Sequence, residues 1–477
     1  MSTAAAAVAT LLGFFAAYGL VISQLPAWVK KAVRILMLLP LFLPSITYGF
    51  AVIYSFGRMG LISQFFGPPP FSIYGFWGLL IADVAYLLPP VFLIISNAFI
   101  YVDPRYAIVS RVMGDGFLRR FWTSALRPVA GACVSAFMLG FFLAFTDFGI
   151  PISIAGQYEV VATELYSTMM GAVPDFGRGA VVAISMMVPA GGAVALLRWS
   201  EKLNFRSTDI VRPMLMPSAA RDGAFLLFYA GLAAVLLCIF AVMFIVPFVE
   251  NWPYKPNFTI QHFIDILGED DIGGIYLRSI GVAAASAAIG TFISFAAALI
   301  QARSKLPRVC RSAMDGLAMM TSTLPGMVIG VGFLFAFSGT ILQNTIAILI
   351  LANLVHFFAS PYLMGTAALS RMNAGWETTG LLMGDSWIQT IRRVVLIEMF
   401  ELYFINSMVT ISAVVFLCDT STMLLTTKIK EFSYYERFDA IFVLSLLVFV
   451  TNVAAKLILD KLAECSRTDQ KAGSIRS

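Results

Sequence analysis

One tripeptide occurs twice in matching surroundings. Met113-Gly114-Asp115 and Met383-Gly384-Asp385 lie 270 residues apart. Each precedes a bulky apolar pair, Phe117-Leu118 or Trp387-Ile388, and a later leucine, Leu126 or Leu396. Each stretch reads as a helix, a glycine break and a second short amphipathic helix. An acid just after the break suits the first turn of that second helix, where free amides and the helix dipole favour negative charge. The chemistry on offer is recognition. Apolar knobs held out from a basic loop fit a groove on a partner.

Other reactive groups are sparse. Thr146-Asp147 and Asp419-Thr420, at repeat-equivalent places 272 residues apart, end two apolar runs. Carboxylates there could meet an ammonium group, an iron chelate or a binding protein, or could simply close a loop at a helix end. Asp83 and His356 (with Asn353 beside it) fall inside apolar runs, where polar groups are costly and mark function by default. A lone histidine in such a run is more often an interhelical hydrogen bond than a ligand. His262 and His356 are far apart, and Cys133, Cys238, Cys310, Cys418 and Cys465 are scattered with no CxxC, so no metal or haem site is expected. Gly-Lys occurs nowhere, which excludes a Walker A loop. If ATP drives this protein, another chain must bind the nucleotide. No span carries the clustered His, Asp or Ser-Lys chemistry of a membrane-embedded enzyme.

The elements that position these groups follow from composition. The chain has 477 residues, 59% hydrophobic and 12% charged, with mean hydropathy +0.86. Soluble domains carry about 25% charged residues. A soluble enzyme, a disordered chain and a disulfide scaffold are excluded, and an all-α polytopic membrane protein is implied. At about 20 apolar residues per span, eleven candidates emerge: 3–22, 33–57, 75–100, 128–151, 178–197, 224–248, 278–301, 313–337, 342–366, 401–424 and 438–459. The prolines of Gly67-Pro68-Pro69-Pro70 make 58–74 a loop.

Basic residues set the orientation. Only Arg58, Arg178, Lys255, Arg278, Lys428, Lys430 and Arg437 fall on one side; the other 25 of the 32 lysines and arginines fall on the opposite side, the cytoplasm. The N-terminus is therefore expected outside and the C-terminus inside. The first run is not a signal peptide by pattern, because Lys30, Lys31 and Arg34 follow the apolar stretch.

The two halves repeat. Residues 1–50 match 282–331 at an offset of 281, with Leu25-Pro26 on Leu306-Pro307, Leu43-Pro44 on Leu324-Pro325 and Gly49 on Gly330. Further on, Pro90 pairs with Pro361 at an offset of 271. Both halves run the same way through the membrane, so the repeat is parallel. Pro44 and Pro325 could flex the helices that hold them, and Gly326-x-x-x-Gly330 equally suits close packing. The second half opens with 224–248, which has no counterpart in the first. The expectation is that the first half lacks its first helix, an ancestral twelve spans having become eleven. The organisation read from this is a first repeat over 1–200 with its loop at 103–128, a linker at 201–223, a second repeat over 224–460 with its loop at 371–398, and a cytoplasmic tail at 461–477.

The duplicated glycine loop, placed before the penultimate span of each half, resembles the EAA loop of ABC importer permeases, and the fused arrangement resembles the ferric-iron and 2-aminoethylphosphonate class. Gly114 and Gly384 match that family's loop glycine, and Leu126 and Leu396 its later leucine. Ile108-Val109-Ser110 and Thr378-Thr379-Gly380 stand where the family has Glu-Ala-Ala, and Arg127 and Ile397 where it has proline. The resemblance implies a permease of the bacterial inner membrane that is not itself an enzyme and holds no cofactor or nucleic acid. Its partners would be two ATPase subunits, which bind the ATP themselves and dock on the loops, and a periplasmic solute-binding protein. Transport would proceed by alternating access. The runs 147–151 and 161–166 lean toward the phosphonate members. The alternative, a secondary transporter driven by an ion gradient, wants charges at mid-depth, for which Asp83 is the one clear candidate.

Overall fold

The structure is a computed structural model that describes residues 1–103, 105–201, 218–269, 271–371 and 396–473. It is almost wholly helical, with one short antiparallel hairpin among the described residues. In chain order, the helices of the first half are α1 (Ser2–Ile22), α2 (Ala27–Leu38), α3 (Ser45–Phe56), α4 (Leu61–Phe66), α5 (Phe76–Ile100), α6 (Arg105–Val112), α7 (Phe117–Phe121), α8 (Arg127–Thr146), α9 (Gly149–Ile154), α10 (Val161–Met170) and α11 (Phe176–Glu201). Then follow α12 (Ala219–Ile245), the hairpin β1 (Val249–Asn251) and β2 (Lys255–Phe258), α13 (Gln261–Gly268), α14 (Ile272–Arg303), α15 (Arg308–Thr323), α16 (Gly326–Phe337), α17 (Ile346–Phe357), α18 (Ala359–Arg371), α19 (Leu396–Val409), α20 (Leu425–Tyr434) and α21 (Phe438–Gly473).

Seven of these stretches are long and apolar enough to cross a membrane: Ser2–Ile22, Phe76–Ile100, Phe117–Thr146, Phe176–Leu197, Ala219–Phe248, Ile272–Arg303 and Phe438–Ala463. Three more are bent pairs, which would bring the described total to ten if each were one span. The runs 33–57 and 313–337, expected as single spans, are broken by 113° and 103°. Leu43-Pro44 and Leu324-Pro325 sit at the two breaks. Proline pushes the residue before it out of the helical region, and Leu324 is accordingly extended (φ −86°, ψ 118°). The preceding helices are amphipathic: α2 buries Val29, Val33 and Met37, one stripe of a helix whose other faces carry Lys30, Lys31 and Arg34. Such a helix suits an interface better than a crossing. The third bend, 50° between α17 and α18, falls four residues before Pro361, whose ring opposes the Phe357 carbonyl. The equivalent Pro90 lies inside an uninterrupted α5. The run 401–424 also differs from expectation. Helix α19 stops at Val409, and 410–424 is a chain of turns that buries Ile411 and residues 413–417 without being helical.

Two compact units are present. One comprises Met1–Leu41, Ser45–Pro174 and Val188–Thr259; the other comprises Phe42–Pro44, Asp175–Met187 and Ile260–Ser477. In the first, α1 presents Ala5, Ala6, Ala9, Gly13, Ala16 and Ala17 as a buried stripe, and such small side chains let helix backbones approach closely. This unit also contains α12, the helix that the repeat assigns to the second half. The Tyr229 hydroxyl of α12 donates to the Ala16 carbonyl at 2.8 Å. In the second unit α14 packs on α19, with the Tyr403 ring filling the space over Gly290 and its hydroxyl 2.8 Å from Ser294 Oγ.

Candidate functional site

The first glycine loop is built by a helix ending. Helix α6 closes with the Met113 amide donating to Val109 (2.9 Å) and the Asp115 amide reaching back five residues to Ser110 (3.0 Å). The intervening Gly114 is left-handed, φ +77°. This is the Schellman arrangement, in which glycine relieves the clash that a Cβ meets at positive φ. A Cβ on Gly114 would touch nothing within 4 Å, so the backbone conformation, not the surrounding space, demands glycine. Gly116, the N-cap of α7, is extended (φ −65°, ψ 167°) and carries no such demand.

Helix α7 runs through a wide π-turn at Trp122–Leu126 into α8, forming one helical stretch over Phe117–Thr146. The π-turn has a local cause. Pro128 has no amide to give Ser124, and its ring would strike that carbonyl. The Arg127 amide bonds Trp122 instead. The hydroxyls of Thr123 and Ser124 donate to the Arg119 and Arg120 carbonyls (2.9 and 2.6 Å).

Asp115 departs from its expected role. It lies one residue ahead of the N-cap, and its recorded side-chain partners come from side chains, not from helix amides. Ser110 Oγ donates to its carboxylate at 2.7 Å and Arg119 Nε lies 3.1 Å away, while Arg120 Nη2 donates to its carbonyl at 2.9 Å. The acid thus clamps α6 to α7 across the turn. Sequence reasoning missed Ser110, which stands in the segment matching the family's Glu-Ala-Ala. Outside the clamp, Val112, Met113, Phe117 and Leu118 are each more than three-quarters exposed. Leu126 is half-buried at the end of the π-turn. In the second loop, Gly384, Asp385, Trp387 and Ile388 lie outside the described residues; Leu396 is half-buried at the start of α19.

The polar groups of the spans separate into distinct roles. Thr146 is buried and bonds back to the Phe142 carbonyl at 2.9 Å. Asp147 Oδ2 accepts the Ile150 amide at 2.8 Å and so caps α9, with the Ser45 hydroxyl as a further donor. Asp83, 2% exposed, has an Oδ1 with no hydrogen-bond partner. Asp83 and Asp147 share a cavity of about 310 Å³ with Tyr158 and Glu159. Asp419 and Thr420 lie in the other unit and are exposed. Asp419 closes its own turn, accepting the Thr420 amide at 2.7 Å and giving its amide to Thr422 Oγ1 at 3.0 Å. His356 sits against Phe357, with ring centroids 4.5 Å apart, and its Nδ1 is unpartnered. Asn353 is fully buried, and neither of its amide atoms has a partner. Among the described residues no three His, Cys, Asp or Glu side chains are grouped to hold a metal. Removing the Asp147 cap by Asp147→Ala should destabilise the detergent-extracted protein by about 1 kcal/mol. Asp419→Ala, at an exposed turn, should stay within about 0.5 kcal/mol of native. Thermal unfolding of both variants checks the difference; equal effects would show that Asp147 is not a cap that matters.

No family model matches the chain. Curated relatives do. It is 22% identical over 445 residues to the putative ferric transport system permease protein FbpB 1 of Haemophilus influenzae, covering 87% of this chain and 68% of the relative. It is 23% identical over 446 residues to the ferric transport system permease protein FbpB of Actinobacillus pleuropneumoniae, covering 88% and 64%. A shorter similarity, 26% over 199 residues, links it to the molybdenum transport system permease protein ModB of Mycobacterium bovis, covering 41% and 75%. The chain thus spans about two-thirds of the length of the two ferric permeases.

Proposed function

We propose, from the premise that this chain is a multi-pass inner-membrane permease of the ABC importer type, that its first glycine loop is a docking site for a separate ATPase subunit. Supporting this is the exposed apolar set Val112, Met113, Phe117 and Leu118, held rigid by the Gly114 turn and the Asp115 clamp. A membrane protein gains nothing by displaying such side chains to water. A partner's groove gives them somewhere to go. The second loop, by its repeated sequence, receives a second ATPase. ATP is bound and hydrolysed by those partners, so this chain contributes no catalytic residue and needs no cofactor.

The remaining steps follow from this assignment. A binding protein delivers the solute to the outer face, the C-terminal tail lies in the cytoplasm, and the two halves rock to expose the path to each side in turn. The solute is ferric iron, the cargo for which the two relatives that align along most of the chain are named. The 2-aminoethylphosphonate reading rests on two short runs alone. Tagged permease, expressed with the candidate ATPase, tests the docking site. The double variant Phe117→Glu, Leu118→Glu should extract and unfold as native, because both side chains are exposed, but should lose ATPase capture at least tenfold. Buried apolar anchors of this kind dominate interface energies. Undiminished capture would place the ATPase elsewhere.

A further inference from the structure

One aromatic side chain joins the docking knobs to the neighbouring helix α1. Phe121 lies one helical turn beyond Phe117 and Leu118, on the same rigid helix, so whatever displaces the knobs displaces Phe121. Its ring packs edge-on against Phe14 at 5.9 Å and Tyr18 at 5.6 Å, both on α1. Both of those rings also touch Phe99 of α5 (5.7 and 5.8 Å). The contacts continue from Tyr18, whose ring is edge-on to Phe225 of α12 at 6.1 Å. Phe225 and Tyr229 are pressed onto α1 at Gly19, where a Cβ would lie 2.3 Å from Phe225 Cδ1 and 2.5 Å from the Tyr229 hydroxyl. The Tyr229 hydroxyl pins the two helices by its bond to Ala16. Edge-to-face aromatic pairs are directional, and close-packed rings transmit displacement because they leave no slack.

We infer that Phe121 is a positioning residue which passes movement of the first docking loop through Tyr18 to Phe225, and so to α12, the helix that the repeat assigns to the second half. This rests on the docking role proposed above. One loop would then act on elements of both repeats, with no need for the second loop to move first. The physical warrant is the unbroken series of ring contacts; coupling energy along it is what the experiment must supply.

The test uses the full chain in complex with its ATPase, and the leucine variants Phe121→Leu, Tyr18→Leu and Phe225→Leu, which keep apolar volume. Capture of the ATPase and the thermal midpoint of the permease should stay near native for each. The change that the native chain imposes on the ATPase's hydrolysis rate should fall at least fivefold. Tyr18→Phe keeps the ring and should remain within twofold of native. The Phe121→Leu, Phe225→Leu double variant should be no more than twofold worse than the more severe single, since both break one path. Leucine variants that hydrolyse ATP as native does, or effects that multiply in the double, would overturn the relay. A native chain that captures no ATPase would instead overturn the docking role beneath it.

Discussion

Replacing Gly114 with valine should abolish most ATPase capture while leaving the bundle intact. Nothing lies within 4 Å of the position a Cβ would take, so the substitution meets no neighbour. It does meet its own backbone. At φ +77° an L residue loses about 1–2 kcal/mol, with β-branched residues among the worst placed. That is about a fivefold to thirtyfold loss in the population of the native turn, and the turn is what aims Phe117 and Leu118. Capture should fall at least fivefold at unchanged extraction yield. Gly116→Ser is the control. Its position is an extended N-cap, where serine is as good as glycine or better, so capture should stay within twofold of native. Should Gly114→Val bind the ATPase as native does, the left-handed turn is not what presents the knobs.

Gly330 and Gly332 make a second pair, two residues apart on α16 and expected to respond with opposite signs. A Cβ on Gly330 would lie 2.9 Å from the Ala413 carbonyl oxygen and 3.1 Å from the Phe416 ring. The carbonyl belongs to the non-helical stretch 410–424, whose backbone cannot retreat without straining the bonds beside it, in which the Val414 and Val415 amides donate to the Ile411 carbonyl at 3.2 and 3.0 Å. Gly330→Ala should therefore destabilise the protein by about 1–3 kcal/mol. Around Gly332 there is open space. Gly332→Ala should stabilise by up to about 1 kcal/mol, through helix propensity and a less free unfolded chain. Thermal unfolding midpoints moving down for the first and up for the second would establish that α16 is seated by its glycines. A common direction would show that it is not.

What the sequence made legible depended on how local the cause was. The Gly114 turn could be read because only glycine is comfortable there, and the knobs because they are bulky and sit in a basic loop. The Asp115 clamp could not, because Ser110 reaches it only once the chain has doubled back. Hydropathy found the buried runs, but burial is not conformation. Ile411 to Leu417 is as apolar as a span and is not a helix, and 33–57 and 313–337 average to spans although Leu-Pro divides each. The stripe of Val29, Val33 and Met37 was the available sign. Asp147 and Asp419 are equivalent in sequence and differ in role. Ser45 supplies a hydroxyl to Asp147, whereas its repeat equivalent at an offset of 281 is Gly326, which has none. A Cβ there would be 2.4 Å from Ser412 Oγ and 3.0 Å from the His356 ring. Asp419, without such a donor, turns back on Thr420 and Thr422.

The continuity of Phe117–Thr146 has a geometric consequence. Its 30 residues at 1.5 Å each make an arm about 45 Å long. A tilt of about 5° at the Phe117 end sweeps the far end through roughly 4 Å, more than the diameter of a water molecule. Asp147 sits at that far end, holding α9 and reaching Ser45. A partner docked on Phe117 and Leu118, as proposed, would thus need to push nothing through the membrane. Leverage alone would turn a small rotation at one surface into an opening of molecular size at the other, with the cap on α9 as the part that is carried.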